Sequence, residues 1–115
     1  MKAKFIALLV ICMVLGFSKD VLAYKVYRYR EDASVRKEAA ERNIMLIPVA
    51  RAQAIAAGRL GTSQVTFPAI ELYDERTSSE DFRPVYKLEC VCANQNYKVV
   101  VDAATAMVLD FEQKD

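Results

Sequence analysis

At Gly61 the apolar residues of this chain change period, and that switch limits the possible folds more than any other feature. Before it, Ile47 to Gly61 reads IPVARAQAIAAGRLG. At about 100° per residue, Val49, Ala52, Ala56 and Leu60 fall on one face with Ile55 at its edge, while Arg51, Ala54 and Gly58 fall opposite. Pro48 suits the first turn of a helix, where its missing N–H would have no partner, and Gly61 suits the stop. Alanines at the centre of the apolar face let the helix axis approach a sheet closely. Gly58 costs up to about 1 kcal/mol relative to alanine inside a helix, so the final turn is expected to fray.

After Gly61 the pattern alternates. Ala69 to Tyr73, Val85 to Cys92, Tyr97 to Asp102 and Met107 to Phe111 are short β-rich runs separated by polar stretches, which predicts successive antiparallel strands. In the second run Tyr86, Leu88, Cys90 and Cys92 share one face, and Lys87 and Glu89 point the other way. Asn94 and Asn96 tolerate positive φ, so ANQN at 93–96 reads as a hairpin turn. In the last run we place Met107, Leu109 and Phe111 inward. Upstream, YKVYRYR at 24–30 reads as a short strand or an extended lead-in. EDASVRKEAAERN at 31–43 reads as a solvated helix whose thin apolar face, Val35, Ala39 and Ile44, predicts loose packing on the main body. The expected fold is α+β: one helix packed on an antiparallel sheet of three to four strands, with an N-terminal helical extension.

Lys2 and Lys4, the apolar run from Phe5 to Phe17 and the small or apolar Val21-Leu22-Ala23 read as a secretory signal peptide over residues 1–23. The run is shorter than a membrane span of about 20 residues, so no stable span is expected after processing. The remaining organisation is then an extension at 24–45 and a domain at 46–115, in a secreted or periplasmic, cell-envelope protein. Removing Lys2, Lys4, Lys19 and Asp20 from 16 basic and 15 acidic residues leaves 13 and 14, a net charge of minus one. Signs are mixed along the chain, so a nucleic-acid surface is excluded as an expectation. There is no histidine and no tryptophan, which removes the usual general base and the commonest metal ligand. No cofactor and no catalytic residue is expected.

The helix I-x-x-x-x-A-x-x-I-A, a Y-x-L-x-C hairpin and a closing V-D-A-A-T resemble the PepSY domain family over about residues 46–115. The matching residues are Ile47, Ala52, Ile55, Ala56 and Gly61; Val85 and Tyr86; and Tyr97, Val99, Val101, Asp102, Ala103, Thr105 and Val108. Ala106 stands where the family usually has glycine, and Pro48 replaces the usual Ser or Thr cap. The resemblance implies a small exported α+β module. Family members occur in the propeptides of thermolysin-like secreted metallopeptidases and as free-standing domains, and a role in restraining peptidases has been proposed for them. No catalytic residues come with it.

The turn motif Asp102, Ala103 and Thr105 reads as an Asx turn, architectural in purpose. Cys90 and Cys92 are a possible thiol pair. Residues i and i+2 of a strand share a face, yet their Cβ atoms sit roughly 6 to 7 Å apart, wider than a disulfide wants. Buried thiols, a strained bridge, soft-metal binding and pairing between chains stay open. The acidic stretch from Asp74 to Asp81 lacks the glycine and oxygen spacing of a calcium loop. The function expected is an exported non-catalytic binding module whose partner is a protein, which the resemblance implies to be a secreted metallopeptidase that it restrains. The alternative is a structural or envelope-associated protein. If a sheet edge carries binding, Ala69 to Tyr73 is the strand expected to offer it.

Overall fold

The computed structural model describes residues 24–76 and 81–114. The signal-peptide reading of residues 1–23 and the centre of the acidic loop, 77–80, lie outside the described residues. The elements run β1 (Tyr29–Glu31), α1 (Ala33–Glu41), α2 (Val49–Leu60), β2 (Thr66–Asp74), β3 (Pro84–Cys92), β4 (Gln95–Asp102) and β5 (Val108–Lys114). One sheet takes the strands in the order β1-β2-β3-β4-β5. Every pairing is antiparallel except that of β1 with β2, which is parallel.

The fold is thus α+β, with a mixed sheet of five strands and two helices. The expected antiparallel sheet of three to four strands is corrected in strand number and in direction, and the extension labelled helical also carries a strand, the first of the two readings of residues 24–30. The extra strand joins through its backbone. Phe67 N–H donates to Lys25 O, Tyr27 N–H to Phe67 O, Ile70 N–H to Arg28 O and Asp32 N–H to Leu72 O, at 2.9 to 3.2 Å. Tyr29, Arg30 and Glu31 all keep exposed side chains, so no apolar alternation marks the strand in the sequence. Nor is the extension loosely packed. Val35 and Ala39 are 1% and 2% exposed, and Tyr24 meets the Phe67 ring edge-on at 5.6 Å.

Local chemistry accounts for both helices. Asp32 caps α1, its carboxylate accepting from Ser34 N–H at 3.0 Å and from the Ser34 hydroxyl at 2.7 Å, which satisfies otherwise orphaned donors. Pro48 sits one position before α2, extended at ψ 156°, not inside its first turn. Gly61 ends α2 in the left-handed region at φ 78°, its N–H donating to Ala57 O at 2.9 Å, the stop that glycine accepts without steric cost. Ala52, Gln53, Ala56 and Ala57 of α2 are buried. Opposite them lie Phe67, Ile70 and Leu72 of β2, Tyr86, Leu88 and Cys90 of β3, and Val99 and Val101 of β4. The single-carbon side chains of the three alanines bring the helix down onto the sheet, and the larger residues of the strands fill the layer between. The Tyr86 hydroxyl donates to Ile47 O at 2.8 Å, fixing the chain as it enters α2. Among the described residues no helix is long and apolar enough to cross a membrane.

Candidate functional site

The turn after β4 gathers the three motif residues. One carboxylate oxygen of Asp102 accepts from Ala104 N–H at 2.8 Å and Thr105 N–H at 2.9 Å. Ala106 N–H donates to Asp102 O, and Asp102 N–H to Met107 O, both at 2.8 Å. Ala106 takes φ 69°, a left-handed conformation that costs a residue with a Cβ roughly 1–2 kcal/mol. Ala103 is held on both sides: its N–H donates to Pro84 O at 2.9 Å, and its carbonyl accepts from Ile47 N–H at 2.8 Å. The turn therefore ties the α2 entry to β3. That one Asp102 oxygen is taken up by two backbone donors, and Ala103 is fully buried.

Cys90 and Cys92 lie on the helix face of β3 as free thiols, the first buried and the second half-buried. Burial, with smaller contributions from Cys92 and Glu89, pushes the Cys90 thiol up to about 12. It stays protonated in any ordinary medium, whereas thiolate is the form that attacks or binds metal. Among the described residues no group of three or more Cys, Asp or Glu side chains could hold a metal ion.

The strand expected to offer an open edge does not. Ala69 to Tyr73 lies inside β2, hydrogen-bonded to β3 on one side and β1 on the other. Among the described residues no strand lies beyond β5, which leaves the outer backbone of Val108–Lys114 as the longer sheet edge. Of the inward set, Met107 and Leu109 are corrected, while Phe111 does lie on the helix face, opposite Val99. Val108 pairs with Val101 and packs on the core. A bulge then follows, so that Val99 faces Phe111 and Val100 faces Asp110. Leu109 is the extra residue, and the bulge shifts the alternation past it. Met107 is 63% exposed, Leu109 41% and Phe111 37%.

Phe111 is held from two sides on the helix face, stacked on Tyr97 at 5.8 Å and covered by the Arg59 guanidinium at 5.4 Å. On the opposite face Lys98 bridges Asp110 and Glu112, at 3.3 Å to each. These bonds raise the Lys98 ammonium, Asp110 first. Two carboxylates share one ammonium there, and Lys114 follows them on the same face, so the acids are concentrated at Asp110 and Glu112 in the middle of the strand. Sequence reasoning missed β5 as a site because strict alternation spread over Met107, Leu109 and Phe111 looks like a core strand. The signal that could have found it is Asp110 and Glu112, which a buried strand would not carry so close together. The chain matches no family model, no curated protein and no solved structure.

Proposed function

We propose that this chain is an exported, non-catalytic binding module that takes up an extended segment of another protein along the outer edge of β5. The carrying observation is that edge: a strand of seven residues paired, among the described residues, on one side only, with Leu109 and Phe111 partly exposed beside it. Strand addition draws affinity from main-chain hydrogen bonds and specificity from alternate side chains. Charges and a bulge on an edge strand discourage indiscriminate pairing. Here they leave a choice of partner, because Asp110 and Glu112 favour a strand with cations on the matching face.

A secreted metallopeptidase is the partner class suggested by the resemblance to PepSY domains, and restraint of such an enzyme is the activity this reading assigns. The test is to titrate the purified chain against thermolysin-like peptidases, following residual activity and binding together. Inhibition that is lost in Phe111→Lys supports the reading. Flat dose curves with no binding remove the peptidase. Turnover of a peptide, ester or glycan that disappears on replacing one serine or carboxylate would overturn the non-catalytic assignment itself.

A further inference from the structure

The two ends of the sheet carry opposite charges on the same face. Arg28 and Arg30 line a shallow hollow with Ala69, Glu71, Lys87 and Glu89, which puts both arginines on the face away from the helices. Asp110 lies opposite Val100 and Glu112 opposite Lys98, on that same face at the far end. Among the described residues neither arginine has an ion-pair partner. On the helix face each end presents an aromatic ring, Tyr29 at 36% exposure and Phe111 at 37%.

Strand direction completes the match. β1 and β2 are parallel and each later step is antiparallel, so β5 runs opposite to β1. A second copy placed beside the first in the same orientation therefore sets its β1 antiparallel to β5, with helix face continuing into helix face. In one register Phe111 lies opposite Tyr29 of the next copy, Asp110 opposite Arg30 and Glu112 opposite Arg28. Directly opposed residues of antiparallel strands share a face and interact. In the two-fold register that sets each aromatic ring opposite its own copy, β5 on β5 places Asp110 against Glu112, and β1 on β1 places Arg28 against Arg30.

We propose that copies of this chain associate end to end, the acidic β5 edge of one accepting the basic, aromatic β1 edge of the next. This rests on the reading of β5 as a docking edge, and it names a second copy as an occupant that competes with foreign segments. A heterologous contact of this kind does not close on itself. Mass should therefore rise steadily with concentration, with no plateau at two copies, and should fall as salt shortens the Debye length below about 8 Å.

The test is sedimentation of the full chain, purified with the N terminus it carries in its own compartment, beside two charge-swapped variants. R28E/R30E has two acidic edges and D110K/E112K two basic ones. Each alone should associate at least about tenfold more weakly than the parent, because like charges now oppose. Mixing the two should restore association, since every edge then finds its complement; a variant that had merely lost its fold could not be rescued this way. A parent chain that stays single across the accessible concentration range, a plateau at two copies, or variants that associate like the parent would each overturn the proposal. If the chain stays single while Phe111→Lys still abolishes binding of a foreign partner, the self-association fails and the reading of β5 stands. If both fail, neither survives.

Discussion

The two ends of the sheet solve the same problem in opposite ways. β1 is a strand of three residues, yet α1 lies over its end of the sheet, with Val35 and Ala39 buried beneath it. A polar knot ties that layer down. Glu38 of α1 pairs with Arg42 and Arg76, Arg76 also pairs with Asp74 of β2, and the guanidinium groups of Arg42 and Arg76 stand over Phe82 at 5.4 and 5.5 Å. β5 is more than twice as long and has a well-bonded turn behind it, but its side chains stay exposed after Val108. Length and availability are separate properties of an edge strand. What lies over the strand decides which of its side chains a neighbour can reach, and at β1 the exposed Arg28, Tyr29 and Arg30 remain within reach.

The sharpest way to break this contrast is to place a charge at each end. Val35→Asp leaves a carboxylate buried without a partner and should cost about 3 kcal/mol or more. Leu109→Asp, on the bare edge, should stay within about 0.5 kcal/mol. Equal urea midpoints for the two variants would refute the contrast. Next in size, Ala106→Gly relieves a positive φ in the turn before β5 and should stabilise by about 0.5 to 1 kcal/mol, the gain being offset in part by the freer unfolded chain. A lowered midpoint would show that the turn carries no such strain.

Acid should loosen the β1 end selectively, with a smaller effect on stability. Burial raises the Asp74 carboxyl, but N–H groups of Arg83 and Arg76 and the Arg76 guanidinium outweigh it, holding the group below the usual carboxylate range. Glu31 is lowered likewise: burial opposes, while Arg36 and the Tyr29 hydroxyl prevail. Because both folded values lie below the unfolded ones, the stability they contribute is complete above the ordinary carboxylate range, about pH 4. It drains away as pH falls toward the depressed folded values. Asp74→Asn should flatten that acid limb in urea titrations, and an unchanged slope would contradict the assignment. Smallest in energy but easily read, Cys92 should be alkylated well before Cys90 in the native chain, since Cys90 is 1% exposed and held as a thiol.

How far the sequence could be read follows from which interactions leave a side-chain pattern. α2 was legible because Gly61 stops it and because Ala52 and Ala56 repeat at helical spacing. The same wheel places Gln53 on that face, where its amide donates to Tyr24 O at 3.3 Å, a burial that a polar residue conceals. β3 and β4 were legible from alternation. Their hairpin was legible in place but not in detail: Ala93 and Asn94 take positive φ, and Asn96 is already in the strand. β1 was legible only as one of two readings of residues 24–30, because Tyr24 and Val26 pack on the core ahead of it while Tyr29, Arg30 and Glu31 stay exposed, and its presence closes the β2 edge expected to bind. In β5 the bulge at Leu109 breaks the alternation on which strand reading depends, so the candidate edge became visible only with the register.

The central claim is that β2 is interior and β5 is a usable edge, and amide hydrogen exchange on dilute protein, with copies kept apart, tests it most directly. An interior strand bonds its amides on both sides, an edge strand only on one. Every amide from Ile70 to Tyr73 should exchange slowly, Ile70 among them through its 2.9 Å bond to Arg28 O, while slow and fast amides alternate along Val108–Lys114. Alternation in β2 with uniform protection in β5 would contradict the account.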